Sequence, residues 1–319
     1  MTATALAGDL AAALADHGYR VAAPVRTLAG PAASRASVAL TDGRHLWVDQ
    51  PADGAAPLGV PVTFPAWLLR ADGASVVMSD AAAVGGALVH ETPWPARLLA
   101  EQLTSRAAAP ERELGVALGR LLRALHQAPA CALPEQSPHR PAALDRVPAA
   151  RTSGLAAVDP ACGAALERIV AAWSTEPVVL HGEPGTGHVL VPERPTVGPL
   201  AVLTGWSGGP RGPAWFDVGY LIGDLVEIAH LLRGVDRERV LALAAAVREG
   251  YDPAGGLPGS FWHGARDAAV VKVLDHEARI ASAFGPRPDT QRFLRAVAHS
   301  ILDPRSAPGS VLAATTPHE

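Results

Sequence analysis

Short runs of alternating apolar and polar residues, separated by turn residues, fill the first part of the chain. Residues 35–40, Arg-Ala-Ser-Val-Ala-Leu, and residues 45–48, His-Leu-Trp-Val, are two such runs. Asp42 and Gly43 lie between them, a pair that is typical of a tight hairpin turn. The pattern therefore predicts an antiparallel hairpin.

A second hairpin follows from the same reasoning. Residues 66–70 and 74–78 are apolar runs on either side of an Asp-Gly pair at 72–73. A short helical pattern over residues 9–17 precedes both hairpins. We therefore expect residues 1–83 to form an N-terminal lobe with one short helix and a small antiparallel sheet.

After residue 83 the apolar spacing changes to the three and four residues of a helix, most clearly between Leu114 and Leu125. Residues 134–160, rich in proline and alanine, are expected to form a loop, and residues 305–319 a flexible tail. The later helical patterns cover residues 217–233, 236–250, 266–284 and 289–301. Residues 84–304 therefore predict a larger helical lobe, and the chain as a whole an α+β, two-lobed protein.

Composition excludes several classes of protein. The chain has 319 residues and a net charge of −4, which gives no reason to expect a nucleic acid or an anionic membrane as partner. No apolar run reaches the ~18 residues that span a bilayer, and no secretory signal is visible, so we expect a cytoplasmic protein. Cys131 and Cys162 are too few for a disulfide scaffold and are interpreted as buried apolar residues.

Two absences limit the chemistry further. Lys272 is the single lysine among 27 basic residues, and the chain contains no asparagine. Alanine, glycine, proline and arginine are abundant instead, as in proteins from GC-rich genomes. A mechanism that needs an asparagine, or a lysine before position 272, is therefore excluded.

One stretch of the chain, residues 178–221, carries a set of motifs. It begins Val-Val-Leu-His-Gly-Glu-Pro-Gly-Thr-Gly-His, continues with Leu-Ala-Val-Leu-Thr-Gly-Trp at 200–206, and ends with Trp-Phe-Asp-Val-Gly-Tyr at 215–220. This order resembles the aminoglycoside phosphotransferase family, the small-molecule branch of the kinase-like fold. That family has a His-Gly-Asp or His-Gly-Glu loop, an asparagine after four further residues, a strand with Ile-Asp-Trp, and a later aspartate that opens a helix. The matching residues here are His181, Gly182, Glu183, Trp206 and Asp217.

The resemblance implies a small antiparallel N-terminal lobe, a larger helical C-terminal lobe and transfer of a phosphoryl group from ATP to a hydroxyl. In the family, that reaction uses metal ions held by an asparagine and an aspartate, and a lysine on the third strand. The matching positions here carry His188, Gly205 and Asp49. We therefore expect a degenerate, pseudokinase-like member that binds neither ATP nor magnesium and has no cofactor or metal site.

Two further departures concern the N-terminal lobe. The prolines between Asp49 and Trp67 exclude a continuous helix after the third strand. The turn at residues 30–35 has one glycine and a proline, which is unlike a glycine-rich phosphate loop. The four prolines are Pro51, Pro57, Pro61 and Pro65.

Glu183 matches the catalytic carboxylate of the family, and it is either a general base or a loop carboxylate without that role. His181 matches a residue that braces the loop, and we name it with His188 and Glu183 as catalytic candidates. Asp49, Trp206 and Asp217 are the candidates for lining the cleft between the lobes. An acidic lining by Asp49 and Glu183 would suit a peptide or a cationic small molecule.

Three hypotheses follow from these residues. The first is a binding protein whose interlobe cleft holds a peptide or small molecule, with a biosynthetic enzyme as possible partner, in specialised-metabolite or antibiotic biosynthesis. The second is a metal-independent catalyst of peptide tailoring or cyclisation that uses Glu183, His181 or His188. The third is an unorthodox ATP-dependent phosphotransferase acting on a hydroxyl. A collapsed cleft with a binding surface elsewhere is the alternative to a cleft site.

Overall fold

The computed structural model describes most of the chain, and the site residues named above lie within the described part. The described residues are 12–29, 33–51, 63, 76–104, 111–129, 140–149, 154–173, 178–194, 197–206, 210–231 and 234–313.

A five-stranded antiparallel sheet forms the N-terminal lobe, in the order β1-β2-β3-β6-β5. The predicted hairpin is confirmed, because β2 pairs with β3 across the turn that contains Gly43, whose φ is +85°. Residues 12–16 form helix α1. The strands are β1 (Val21–Ala29), β2 (Ala33–Leu40), β3 (His45–Pro51), β5 (Ala82–Val84) and β6 (Ala87–Thr92).

The sheet continues past the lobe boundary that we expected at residue 83. Strand β6 pairs with β3, so the N-terminal sheet runs to Thr92. Gly85 and Gly86, with φ of +55° and +82°, make the turn between β5 and β6. A Gly-Gly pair between two apolar runs is itself a hairpin signal, and it marks the strands that the sequence reading missed.

The two faces of β3 contact different parts of the molecule because side chains alternate along a strand. Leu46 and Val48 lie on the outer face, in an apolar cluster with Leu14 of α1. Trp47 lies on the inner face, in a cluster with Leu190 and Val202 of the C-terminal lobe. Asp49 is two residues from Trp47 and therefore shares that inner face.

Residues 76–78, the described part of the second predicted hairpin, have a strand partner that the sequence does not predict. That strand, β4, pairs in parallel with β10 (Ala201–Leu203) of the C-terminal lobe. The sheet has the order β4-β10-β9-β7, with β7 at Ala96–Leu98 and β9 at Val189–Pro192. A distant apolar strand supplies the partner, and local spacing cannot reveal such a pairing. Residues 64–75, with the other expected run, lie outside the described part.

The segment with four prolines also lies largely outside the described residues, which include only Thr63 between positions 52 and 75. The expectation that no continuous helix follows β3 therefore remains a prediction.

Ten helices are described after the N-terminal sheet, and the leucine-striped helix α3 (Glu111–Gln127) is confirmed. It approaches α8 closely, since a Cβ at Gly119 would lie 2.1 Å from the carbonyl oxygen of Val247. A Cβ at Gly219 would lie 2.0 Å from the carbonyl oxygen of Ala265, so α7 and α9 are equally close. The other helices are α2 (Leu99–Thr104), α4 (Ala143–Ala149), α5 (Leu155–Val158), α6 (Pro160–Ala172), α7 (Trp215–Leu231), α8 (Arg237–Tyr251), α9 (Gly259–Phe284), α10 (Pro288–Leu302) and α11 (Ala307–Val311).

Two segments expected to be irregular contain helix. Residues 134–160 include α4 and α5, because Leu144 and Val147 bury a short apolar face despite the surrounding prolines. The expected tail from residue 305 contains α11, followed by the buried Leu312. Arg248 donates to the carbonyl oxygens of Val311 and Ala313, and this fixes the segment to the helical lobe.

Cys162 is buried, as expected, and burial raises the pKa of its thiol to about 12. Cys131 lies outside the described residues. Within the described part of the chain, no helix combines the length and apolar character needed to cross a membrane.

Candidate functional site

Residues 181–188, which we call the His-Gly-Glu loop, connect β8 (Val178–Val179) to β9. Asp217, in the first turn of α7, accepts hydrogen bonds from the backbone N–H groups of His181 and Gly182 at 2.6 and 2.9 Å. His126 lies 3.1 Å from the same carboxylate through Nε2 and 2.8 Å from the hydroxyl of Tyr251 through Nδ1. Asp217 is fully buried, so its role in this structure is to hold the start of the loop.

A second carboxylate holds the other half of the loop. Asp224 accepts from the backbone N–H and the hydroxyl of Thr186 at 2.6 and 2.7 Å. Lys272 pairs with Asp224 at 2.7 Å and with the buried Glu227 at 2.6 Å. His276 also contacts Glu227. The single lysine of the chain is therefore a buried support of the loop.

Sequence reasoning did not assign this role to Lys272. The available signal was its position between the apolar residues Val270, Val271, Val273 and Leu274. A lysine among apolar residues in a predicted helix is costly to bury unless carboxylates face it.

Glu183 pairs with two arginines from helices of the C-terminal lobe, Arg146 of α4 and Arg279 of α9. Its two carboxylate oxygens lie 2.5 Å from Nη2 of Arg146 and 2.5 Å from Nη2 of Arg279. Both oxygens thus accept a charge-assisted hydrogen bond from an arginine. Neither arginine was predicted as a site residue.

Asp275 holds the same two arginines from behind. It pairs with Nε of Arg146 at 2.7 Å and with Nε of Arg279 at 2.8 Å, and it accepts from the Tyr220 hydroxyl at 2.7 Å. Burial by itself would raise the pKa of Asp275, but the two guanidinium groups hold it well below its ordinary value. The spacing of 275 and 279 places both residues on one face of α9.

The two histidines of the loop lie on its buried side. His181 contacts the carbonyl oxygen of Thr204 through Nε2 at 2.8 Å, and His188 contacts that of Glu183 through Nδ1 at 2.9 Å. Burial lowers the pKa of His181, and burial together with nearby Arg35 lowers that of His188 to about 3. Both imidazoles are therefore neutral near pH 7, and each directs one nitrogen at a backbone carbonyl.

Gly205 faces the ring of His188. The backbone at Gly205 has φ of +74°, and a Cβ added there would lie 2.5 Å from Cδ2 of His188. The two positions that the family resemblance assigns to metal ligands are thus adjacent in space. One of them has no side chain, and the imidazole of the other occupies the space beside it.

Asp49 lies on the inner face of the N-terminal sheet and is 2% exposed. Its carboxylate is 2.9 Å from Nε of Arg35 and accepts from Nε1 of Trp47 at 3.2 Å. Arg35 also approaches the His-Gly-Glu loop, since a Cβ added at Gly187 would lie 3.5 Å from Nη1 of Arg35. The expected acidic lining by Asp49 and Glu183 is therefore neutralised, because arginines pair with both carboxylates.

Trp47 and Trp206 are both buried in apolar clusters. Trp47 is 1% exposed and packs with Trp94 and Leu98 of the segment that joins the lobes, and with Leu190 of β9. Trp206 is 2% exposed and meets the ring of His181 edge-on, with ring centroids 6.2 Å apart. The expected stacking face of Trp206 is thus turned into the protein.

The structure brings most of the predicted site residues together around the loop. His181, His188, Trp206 and Asp217 converge on its buried side, whereas Glu183 pairs with Arg146 and Arg279 and is 12% exposed. Among the described residues, no group of three or more His, Cys, Asp or Glu side chains could hold a metal ion.

A cavity of about 530 Å³ lies elsewhere in the helical lobe. Ile169, Trp215 and Phe261 contribute apolar walls, and the ion pair of Arg168 with Asp267 lies at its edge. None of its lining residues belongs to the His-Gly-Glu loop.

Comparison with known proteins links this geometry to a family. The sequence profile described as "APH: Phosphotransferase enzyme family" matches residues 65–258, which is more than half of the chain. The match includes the His-Gly-Glu loop and α7. A comparison with curated proteins found no match.

Solved structures show the fold. A macrolide 2′-phosphotransferase type I has a TM-score of 0.52 and 18% identity, and the alignment covers 93% of this chain and 97% of that chain. An amicoumacin kinase, solved with AMP-PNP, Ca²⁺ and Ami, has a TM-score of 0.54 and 10% identity, with 96% and 95% covered. A choline/ethanolamine kinase family protein from Mesorhizobium loti has a TM-score of 0.53 and 17% identity, with 94% and 100% covered. The predicted two-lobed kinase-like fold is confirmed.

Proposed function

Because the chain belongs to the phosphotransferase enzyme family, we propose that it is a degenerate member, which has lost phosphoryl transfer from ATP and binds a small molecule or a peptide at the His-Gly-Glu loop. The observation that carries the proposal is the contact between His188 and Gly205. A magnesium ion prefers oxygen ligands in near-octahedral geometry. Gly205 offers no side-chain oxygen, and the imidazole of His188 lies where an aspartate at 205 would project.

The inner face of the N-terminal sheet, where the family resemblance places the phosphates of ATP, supports the same proposal. Phosphoryl transfer depends on cations that neutralise the developing charge of the triphosphate. Asp49 brings a negative charge to the position where the family has a lysine, and the nearby cation, Arg35, is already paired with it. Trp47 fills the adjacent space with an indole packed against both lobes.

The contacts of Glu183 argue against a general base at this position. A base must reach the proton of the acceptor hydroxyl through a free carboxylate oxygen. Both oxygens of Glu183 instead accept from Arg146 and Arg279. Removing metal, cation and base together would leave a rate near that of the uncatalysed reaction.

The contacts of the histidines give little support to metal-independent acid–base catalysis. His181 is completely buried and engaged with Thr204. The low pKa of His188, about 3, makes it a neutral imidazole near pH 7, and Nδ1 is engaged with the carbonyl oxygen of Glu183, so it lacks the extra proton of an imidazolium acid. We therefore favour ligand binding in a biosynthetic setting, with or without an enzyme partner, over peptide tailoring or cyclisation.

Calorimetric titration with magnesium and AMP-PNP tests the proposal. We expect no binding of the wild-type chain at ~1 mM nucleotide, a concentration at which even weak complexes release measurable heat. Gly205→Asp alone should not create binding, because His188 still occupies the space and Asp49 stands where the family has its third-strand lysine. Magnesium-dependent binding of nucleotide by the wild-type chain would overturn the proposal.

A matched pair of variants sharpens the test. His188→Asn with Gly205→Asp restores both oxygen ligands that the resemblance assigns to the metal, and should raise the affinity for magnesium above that of the wild type. Gly256→Asp is the control, because a side chain at Gly256 meets open space. Equal magnesium affinity of the wild type, the double variant and the control would show that His188 and Gly205 do not account for the proposed loss of magnesium binding.

A further inference from the structure

We propose that Arg146, Arg279 and Asp275, which we call the arginine clamp, form a binding site for a carboxylate group of the ligand, and that Glu183 occupies this site when the ligand is absent. The inference rests on the proposed function, because it names the ligand chemistry of the same loop. The Glu183 carboxylate already shows the fit, with one oxygen on each guanidinium at 2.5 Å.

The clamp is rigid because its two arginines are fixed from behind. Asp275 accepts from Nε of both arginines and from Nη2 of Arg146. Tyr220 donates its hydroxyl to the same carboxylate, which is 2% exposed as a side chain. Each guanidinium is a planar fork of donors, so fixing Nε also fixes the direction of the remaining N–H groups.

The clamp is also open to solvent. The side chains of Arg146 and Arg279 are 31% and 39% exposed, and that of Glu183 is 12% exposed. Among the described residues, the hydrogen bonds of both arginines run through Nε and Nη2 and leave Nη1 without a protein acceptor. An anion that arrives from solvent therefore finds donors besides the two that hold Glu183.

Charge favours a carboxylate over other ligand groups. The two arginines and Asp275 together carry one net positive charge, which one carboxylate neutralises. A cationic or neutral ligand would leave that charge unbalanced once Glu183 moved away. The planar arrangement of donors also matches a carboxylate, which accepts from two guanidinium groups with its two oxygens.

Glu183 can leave the clamp without any movement of the loop. Asp217 fixes the backbone at Gly182, and Asp224 fixes it at Thr186, so the main chain on both sides of Glu183 is held. Rotation about the side-chain bonds of Glu183 is enough to free both guanidinium groups. The ligand therefore competes with one side chain rather than with a folded segment.

Chemical rescue of Glu183→Ala tests the clamp. This variant lacks the internal carboxylate, and propionate supplies a carboxylate of similar length. We expect propionate to raise the melting temperature of Glu183→Ala in a saturable way, with an apparent Kd of roughly 1–10 mM. The wild-type chain should require at least about tenfold more propionate, because Glu183 competes for the site. Sodium chloride at equal ionic strength controls for screening.

The control variant is Glu183→Ala combined with Arg279→Met, which keeps an apolar stem of similar length but removes one fork. We expect no saturable effect of propionate on it, and circular dichroism verifies that both variants are folded. If either variant is unfolded, the same measurement is made on Glu183→Gln, which keeps the shape of the side chain. Glu183→Gln combined with Arg279→Met is then the control.

Equal stabilisation of the single and double variants, or none of either beyond that of chloride, would overturn the carboxylate site. Stabilisation by inorganic phosphate that is clearly stronger than by propionate would also overturn it, because the clamp would then be a site for phosphate groups. These results are independent of nucleotide binding. Failure of the clamp therefore leaves the loss of phosphoryl transfer standing, and magnesium-dependent nucleotide binding leaves the rescue measurement interpretable.

Discussion

Beneath the His-Gly-Glu loop, helices α7 and α9 supply buried carboxylates and a lysine that hold its backbone, whereas above it the N-terminal sheet supplies a paired aspartate, an arginine and a tryptophan. On the lower side, Asp217 accepts hydrogen bonds from the backbone of His181 and Gly182. Asp224, which pairs with Lys272, accepts one from the backbone of Thr186. On the upper side, Asp49 stands at the position where the family resemblance leads one to expect a lysine, and Arg35 pairs with it.

The residues that hold the backbone of the loop are therefore different from the positions that the family resemblance assigns to metal and phosphate. Backbone N–H groups that are buried need acceptors whatever the protein does, because an unpaired buried donor is costly. A metal ligand or a phosphate-binding cation has no such structural duty. Gly205 and Asp49 can therefore differ from the family pattern while the loop keeps its conformation.

The largest expected effect is on the lower side, at Asp217. Asp217→Ala leaves two backbone N–H groups and His126 without their acceptor, and we expect it to lower the free energy of unfolding by about 3–5 kcal/mol. Chemical denaturation measures the loss. Asp289→Ala, at an exposed carboxylate, is the control and should change little. A small effect of Asp217→Ala would mean that water replaces the carboxylate as acceptor and that Asp217 contributes little to the stability of the loop.

A second test of the lower side is Lys272→Met, which leaves Asp224 and Glu227 buried without their cation. We expect a loss of about 3 kcal/mol in the free energy of unfolding, because a buried charge that loses its partner is strongly destabilising. Lys272→Arg keeps the charge and should recover part of that loss. Hydrogen exchange at the Thr186 amide should become faster in the Met variant. An unchanged exchange rate at this amide would show that Lys272 does not stabilise the loop.

On the upper side, Gly205→Ala measures how closely His188 fills the site. We expect a loss of about 2–3 kcal/mol, from the left-handed backbone at this position and from the overlap of a Cβ with the imidazole. In a His188→Ala background the same change should cost less, because only the backbone strain remains. Equal costs in the two backgrounds would show that the imidazole does not occupy this space.

The smallest effect concerns the arginine clamp and its dependence on pH. The folded-state pKa of Asp275 is depressed below its unfolded value, so its contribution to stability is present above the unfolded pKa and is lost as pH falls. We expect the free energy of unfolding to fall by on the order of 2 kcal/mol below about pH 4. Asp275→Asn should lack this part of the pH dependence. Identical profiles between pH 2 and 5 would contradict the depressed pKa.

The sequence by itself determined the fold class and which residues form the His-Gly-Glu loop. The leucine stripe of α3, the turn at Gly43 and the His-Gly-Glu motif each depend on residues close together in the chain, and the structure has them where the local pattern puts them. The substitutions at 188 and 205 were also readable, because they occupy fixed places in a short motif. Local patterns missed β5 and β6, and they did not indicate that β4 pairs with β10.

Only the tertiary structure decided what the site residues do. Glu183 was read as part of an acidic lining, but Arg146 comes from α4 and Arg279 from α9, and no spacing within the chain predicts that they meet. Lys272 likewise reaches Asp224 on another helix. Charge pairing depends on distances between side chains of different elements, which packing sets. The sequence therefore shows which groups are present, and the fold decides which of them neutralise each other.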